Sequence, residues 1–337
     1  MDLNRSGLGS MLDVFFTECR AEWTEALNAA KDNLILTKTA MQVTSKTSQT
    51  RHAWLNQLPA MRKWVGDRVV NNLRSNTLNI VNSKFENTIE ITREEFEDDE
   101  YGLYKPLFPV MGRQAIATKD RMLIDACLIG TTALWGGDAT AVFTAGRTYG
   151  SATIDNYSVL AFDSLGSNLT TVIKKQRSYL GHGGQPLMVV PKVLVYGPNL
   201  YDTVHRAIKN QFSALATAAG ATSTTHVGGD ISNPNANIVE LTMSEYLVDG
   251  YTDLDGNAYT NAGKAWFLVG ESMGVRAGLI YQSRIEPELQ DQRARFDASN
   301  TELFMQDKLQ WGVRMRGAAF VGMPHLICGN FPTAYGT

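Results

Sequence analysis

The sequence predicts a mixed α+β chain in which strands and helices do not alternate in a regular beat. Three observations carry that expectation. Apolar residues recur at helical spacing in separate stretches, as in Leu12, Phe15, Phe16, Cys19, Trp23 and Leu27. Elsewhere apolar and polar residues alternate, with Leu78, Ile80, Phe85, Ile89 and Ile91 set among Asn79, Lys84, Glu86 and Glu90. No strand–helix–strand repeat runs along the 337 residues, which excludes a doubly wound parallel sheet.

Taken in order, residues 11–35 read as an amphipathic helix. Residues 38–50, rich in Thr and Ser and without a period, read as an extended polar arm or linker. Trp54, Leu55, Leu58, Trp64 and Val65 form an apolar patch broken by Gly66-Asp67-Arg68. The alternating stretch that follows is expected to turn through Asn82-Ser83 as a protruding two-stranded hairpin. Such a ribbon is marginal alone in water, so it must rest on the same chain or on a neighbour. The acidic run Glu94 to Glu100 then precedes a long helix, expected to start near Pro109 or Gly112 and to stop at Gly130. Acidic side chains ahead of a helix suit its positive N-terminal end.

Residues 133–154 read as loop and residues 158–180 as a helix closed by Gly181-His182-Gly183-Gly184. Leu187 to Tyr196 is a buried-strand run in which Pro191 marks an edge or a bulge. Gly197-Pro198-Asn199 turns into a helix through Leu200, Val204, Ile208 and Phe212. Residues 213–236 are low in complexity and read as a mobile connection. Short strands are expected at 237–242, 265–270 and 274–281, and strand alternation around Trp311, Val313, Met315 and Phe320.

Composition narrows the function. A 44% hydrophobic content supports a core, in one large domain or two to three smaller segments. No uncharged apolar run reaches the roughly 18–20 residues of a bilayer span, and the opening Met1 to Arg5 does not resemble a secretory leader. A net charge of −3 argues against a general nucleic-acid binder. Cys19, Cys127 and Cys328 are too far apart for a disulfide framework or a metal pair, which suggests a reducing compartment. Charged residues make up 19% of the chain against ~25% in a typical domain. Residues 51–100 hold 16 of them and residues 101–250 only 21. Either the middle is unusually well buried, or much of its surface faces other proteins.

Chemistry finds little purchase. His182 lacks the strand and the second glycine pattern of a phosphate loop and reads as a helix-ending turn. Asp253-Leu254-Asp255-Gly256-Asn257 begins like a calcium loop, but its twelfth position is Lys264 rather than Glu, so it reads as a polar turn. The acidic run reads as a solvated or protein-contacting surface rather than a metal site. The five histidines have no ligand spacing, and Lys174-Lys175-Arg177 is one solvated helix face. No catalytic, cofactor-binding or metal residue is assigned.

Six stretches together resemble a known family. They are Trp64-Val65-Gly66-Asp67-Arg68; Asn82-x-Lys84-Phe85-Glu86-x-x-Ile89; and Arg93-x-x-Phe96-Glu97-Asp98-Asp99-x-x-Gly102-Leu103-Tyr104. Then follow Leu194-Val195-Tyr196-Gly197-Pro198-x-Leu200 with Ala265-Trp266-Phe267-Leu268, and Phe304-x-x-Asp307-x-x-x-Trp311-Gly312-Val313-Arg314-x-Arg316-x-Ala318. Their order over residues 60–320 resembles the major head subunit of Mu-like phages and prophages. Two departures stand out: only Phe143 with Arg147 where that family has Phe-Phe and a His, and Gly197-Pro198 where it has Pro-Pro.

The resemblance implies the Hong Kong ninety-seven capsid fold. Residues 1–51 would be an N-terminal arm with a helix, 52–100 an E-loop β-hairpin, and 101–132 peripheral domain with the spine helix. Residues 133–283 would be the axial domain and 284–337 the returning peripheral strands and C-terminus. It implies a structural protein, not an enzyme, with no cofactor, assembling with itself as pentamers and hexamers into an icosahedral head around double-stranded DNA. Portal, scaffold and decoration proteins would be its partners, DNA would be held without sequence-specific binding, and no membrane would be involved. The chain would be made in the host cytoplasm and end in the virion. Candidate inter-subunit contacts are the apolar Trp54, Trp64, Phe85, Ile89 and Ile91. The bases Arg62, Lys63, Arg68, Arg74 and Lys84 would face the acids Glu94, Glu95, Glu97, Asp98 and Asp99 of a neighbour. A Lys–Asn cross-link, found in one branch of the fold, has no matching signature at Lys63 or Lys84. Two other readings stand beside this one: a nanocompartment shell of the same fold, and an enzyme with an unrecognised site.

Overall fold

The computed structural model describes residues 5–31, 34–55, 75–92, 94–95, 98, 102, 104–136, 140–149, 152–181, 184–210, 212–213, 231–291 and 308–332. Helix α1 (Arg5–Lys31) follows the expected spacing, with Phe16, Cys19, Trp23 and Leu27 all buried. A short helix α2 (Ile35–Thr39) is anchored where Ile35 N donates to Asp120 Oδ2 at 3.0 Å. It leads into β1 (Ala40–Thr44), which corrects the expected polar arm. This strand pairs in parallel with residues 279–291, Ala40 opposite Leu279 and Thr44 opposite Ser283. Its Thr and Val suit a strand, and the flanking hydroxyls are satisfied locally, Thr39 Oγ1 donating to Ile35 O at 2.8 Å.

Strands β2 (Gln49–Leu55) and β3 (Ser75–Val81) form an antiparallel ribbon, with Gln49 opposite Val81 and Leu55 opposite Ser75. Strand β4 (Ser83–Thr92) does not pair with β3, so Asn82-Ser83 is not the expected hairpin turn. Instead β4 lies against residues 308–321, bringing Phe85 opposite Met315, Ile89 opposite Trp311 and Ile91 opposite Leu309. Alternation identified both segments as extended, but a period of two fits any partner edge. The choice falls to the matching apolar row.

Helix α3 (Leu107–Leu128) starts slightly earlier than expected, with Pro109 in its first turn, where a missing N–H breaks no helical bond. Beyond it come β5 (Tyr157–Ser158) and α4 (Ser167–Arg177). The helix expected over 158–180 is thus shortened. Asp163 accepts from Ser167 N at 2.9 Å and Asn168 N at 2.8 Å, and Gly166 at φ +70° sets the chain into the helix only there. Strand β6 (Val189–Tyr196) leads through a 3-10 turn to α5 (Tyr201–Lys209). Phe212 falls outside that helix, in a two-residue ribbon with 231–232. Of the low-complexity stretch, residues 214–230 lie outside the described residues. Its end is well packed, with Asn233 Nδ2 donating to Ala207 O and Asn210 O at 2.8 and 2.9 Å. The chain finishes with β7 (Glu240–Met243), β8 (Trp266–Ser272), β9 (Leu279–Asp291), β10 (Lys308–Val321) and β11 (Ile327–Asn330).

These strands make a four-stranded sheet, β1-β9-β10-β4, and a five-stranded sheet, β7-β6-β8-β11-β5. Pro191 faces a register shift in β8 at Val269/Gly270, beyond the part of β6 that pairs with β7, as a bulge requires. The final strand β11 joins the five-stranded sheet rather than the returning strands, with Trp266 opposite Asn330. Between α1, α3 and the four-stranded sheet, Trp311 sits with Phe16 and Phe108 at ring distances of 5.4 and 5.5 Å. Gly112 lets the two helices close in, since a Cβ there would stand 2.9 Å from Trp23 O.

Candidate inter-subunit surface

The base of the ribbon is held by one buried amide. Asn82, 6% exposed, donates from Nδ2 to Thr47 O at 3.0 Å, Ser48 O at 3.3 Å and Ser45 Oγ at 3.2 Å. Its Oδ1 accepts from Gln282 Nε2 at 2.8 Å, which ties the ribbon to β9. Ser45 reinforces the joint through Ser45 N to Ser283 O at 2.8 Å and Arg284 Nη1 to Ser45 O at 3.2 Å. The ribbon therefore leaves the body at a fixed angle, and its two strands pair only with each other among the described residues.

Beside this joint, β4 is an edge strand with Lys84, Glu86 and Glu90 exposed. Glu90 takes Lys308 Nζ at 2.6 Å and Gln310 Nε2 at 2.8 Å, and these bonds hold its carboxyl below the ordinary value. A cleft of about 510 Å³ runs from Val81, Lys84 and Phe85 to Asp125, Asp253 and Leu254. A second, of about 370 Å³, opens on the other side of Phe85 toward Gln114, Arg121 and Tyr246.

The first cleft ends on a polar network. Tyr251 OH donates to Asp125 Oδ1 at 2.5 Å, Leu254 N donates to Asp125 Oδ2 at 3.1 Å, and Arg121 Nε donates to Tyr251 OH at 2.9 Å. Burial raises the Asp125 carboxyl to about 6 even so. Asp253 is consumed by its own turn, with Oδ1 taking Asp255 N and Asn257 N at 3.0 and 2.8 Å, and Oδ2 taking Tyr259 OH at 3.0 Å. The buried Lys119 ammonium pairs with the exposed Glu286, whose other oxygen takes Ser283 Oγ at 2.5 Å. Partial desolvation raises the Glu286 carboxyl, but these two bonds outweigh it and hold it low. Cys19, Cys127 and Cys328 are free and buried, their thiols pushed up by burial, to about 12 for Cys19 and Cys328. Among the described residues, no group of three or more His, Cys, Asp or Glu could hold a metal ion.

The candidate contact residues separate into three groups. Arg62, Lys63, Trp64, Arg68, Arg74, Glu97 and Asp99 lie outside the described residues. Trp54 lies in β2 opposite Asn76, while Lys84, Glu94, Glu95 and Asp98 are exposed. Phe85 and Ile89 are half-buried against the core, and Ile91 is 3% exposed within it. Ile91 is therefore corrected from contact candidate to core residue, because β4 belongs to the sheet and not to the ribbon. Part of the acidic run also has a local task. Thr92 N donates to Glu95 Oε2 at 3.1 Å and Glu95 N to Thr92 Oγ1 at 3.3 Å, the reciprocal pair of a capping box. Thr92-x-x-Glu95 is the sequence signal of that box.

Comparison with known proteins gives a consistent answer. The family model described as Mu-like prophage major head subunit gpT matches residues 12–148 and 248–332. Residues 149–247, which include the Leu194–Leu200 step used in the resemblance, lie outside that match. The chain is 37% identical over 95 residues to the major capsid protein of Escherichia phage Mu, covering 28% of this chain and 31% of that protein. It is 34% identical over 102 residues to the Mu-like prophage FluMu major head subunit of Haemophilus influenzae, covering 30% and 33%. These alignments thus span about a third of each relative. Among solved structures, the bacteriophage JBD30 capsid aligns with a TM-score of 0.53 at 19% identity, over 62% of this chain and 89% of that one. The bacteriophage PhiM1 mature capsid aligns with a TM-score of 0.55 at 10% identity, over 88% and 86%. Matched by the family model over more than half its length, the chain belongs to the Mu-like prophage major head subunit family and has the Hong Kong ninety-seven phage-capsid fold.

Proposed function

We propose that this chain is the repeating unit of an icosahedral phage head, a structural protein that assembles as pentamers and hexamers around double-stranded DNA. The observation that carries this reading is the ribbon β2–β3, clamped at its base by Asn82 and paired with no other strand among the described residues. A free two-stranded ribbon is marginal in water, so a neighbouring copy is the surface that supports it. Residues 56–74 between its strands carry Arg62, Lys63, Arg68 and Arg74 against the single acid Asp67. Opposite charge is available in Glu94, Glu95, Glu97, Asp98 and Asp99 of the next subunit. Exposed ion pairs contribute only about 0–1 kcal/mol each, so they set register, while apolar burial at ~25 cal/mol per Å² gives most of the affinity.

In this reading the projecting loop comprises β2, β3 and the residues between them, narrower than 52–100. Helix α3 and the four-stranded sheet form the peripheral domain, and the five-stranded sheet forms the axial domain. Portal, scaffold and decoration proteins are the other partners, and the protein ends in the virion after synthesis in the host cytoplasm. Electron microscopy of the purified chain tests the reading: rings, tubes or shells support it, and a stable monomer at all concentrations defeats it. Particles that enclose a specific enzyme rather than DNA would favour the nanocompartment reading.

A further inference from the structure

The end of the five-stranded sheet where β6 begins and β8 finishes carries two methionines in a conformation that methionine disfavours. Met188 and Met273 both have φ of 50°. They lie at the same end of this strand pair, because Val189 opposes Ser272 and each methionine is the next residue outward. Met273 and Gly274, the latter at φ 80°, form a two-residue turn. It is closed by Val275 N donating to Ser272 O at 2.9 Å and Ser272 N donating to Val275 O at 3.1 Å. Positive φ at both central positions is the type I′ pattern, in which Asn-Gly and Asp-Gly are the favoured pairs. Met in that place stores strain, and burial does not offset it: Met273 is 77% exposed and Met188 is 60% exposed.

Leu180, Val190 and Val275 are exposed on the same end of the sheet. The segments are knitted together by Leu187 N donating to Tyr179 O at 2.9 Å and Ser272 Oγ donating to Leu187 O at 2.6 Å. At its rim Glu271 is already taken by Lys192 and Arg276, each at 3.1 Å. The face is therefore apolar, and the charges beside it are spent on each other. Such a surface suits another apolar protein face and has nothing to select a charged ligand.

We propose that this face is a contact between copies of this chain, an inference that rests on the shell reading above. The five residues expose on the order of 500 Å² at the fractions given, the size of the largest apolar patch on a typical soluble protein, which is often a functional one. A stable pairwise interface needs about 800 Å² from each partner. The patch is thus too small to hold a soluble dimer and of a size to serve as one facet of a contact repeated around a ring. Unbranched thioether chains repack readily, which suits a subunit that must sit in both five-fold and six-fold environments.

Met273→Asn installs the residue the turn favours and removes the thioether. In the full-length chain it raises the Tm of the free subunit by about 1–3 °C and lowers particle yield about tenfold. Met188→Ser, outside the turn, lowers yield likewise and carries the same test should M273N fail to fold. In the wild-type protein, dilute hydrogen peroxide converts both methionines to sulfoxides in free subunits, and about fivefold more slowly in particles. M273N and M188S particles at wild-type yield overturn the proposal. So does equal oxidation in subunits and particles, which would leave this face open to solvent in the particle while leaving the shell reading intact. A wild-type chain that forms no particles overturns the shell reading and this contact with it.

Discussion

Asn82→Ala removes the amide that holds the base of the ribbon. The side chain makes four hydrogen bonds of 2.8–3.3 Å, one of them to Gln282, which is 0% exposed. A typical bond contributes about 1 kcal/mol net, and a buried partner left without its bond costs about 1–3 kcal/mol. Thr47 and Ser48 are exposed and their carbonyls can turn to water, so the main loss is at Gln282. The expected destabilisation is about 2–4 kcal/mol, a fall of roughly 3–6 °C in Tm for a chain of this size. Asn82→Asp costs more, because it aims a carboxylate at the Thr47 and Ser48 carbonyl oxygens. Urea unfolding of N82A, Gln282→Ala and the double variant provides the assay, with a coupling energy of about 1 kcal/mol or more expected. If N82A lies within about 0.5 kcal/mol of wild type, or the two variants simply add, the clamp is not what fixes the ribbon.

Three further outcomes follow. The folded Asp125 carboxyl, raised by burial to about 6 from 3.8, contributes stability that is complete below pH 3.8 and lost as pH rises through 6, roughly 2–3 kcal/mol. His325, held down to about 4 by burial, has the opposite sense: its contribution is complete above pH 6.5 and lost as pH falls through 4. The two offset each other between pH 4 and 6, so Asp125→Asn should lose stability on acidification more steeply than wild type, and superimposable urea profiles from pH 4 to 7 would refute this. Gly197→Ala places a Cβ 2.0 Å from Leu247 O at an ordinary φ of −92°, whereas Gly256→Ala meets open space at φ +89°. The first should cost about 3 kcal/mol or more and the second about 1 kcal/mol, and equal midpoints in urea would contradict the packing explanation. Ile91→Ala should destabilise the free subunit by about 2–4 kcal/mol, while reversing Asp98 and Asp99 to Lys should leave subunit Tm unchanged and lower particle yield. The opposite pattern would restore Ile91 as a contact residue.

The sparse charge of residues 101–250 has two sources. Val193 to Tyr196 are buried in succession inside the five-stranded sheet, which accounts for part of it as core. Val159, Leu180, Met188 and Val190 are exposed and apolar, which accounts for the rest as surface. Where the reading of the sequence missed, the missing information was distant or conformational. Asn82 and Gln282 are 200 positions apart. The start of α4 depends on a capping carboxylate at Asp163 that an apolar period does not register. Nothing in the letters of Met188 or Met273 announces a positive φ.

By itself, the sequence determined the kinds of element and the family. Helical spacing in α1 and α3, the buried run of β6 and the ordered motifs that identify a head subunit all depend on residues near one another along the chain. Only the tertiary structure decided that β4 turns away from β3 to lie on β10, that residues 40–44 join β9, and that β11 joins the five-stranded sheet. The physical reason is that alternation fixes which face of a strand is apolar but not which edge it bonds. That choice is made by long-range matching of apolar rows and by buried amides such as Asn82, whose partners meet only once the chain has folded.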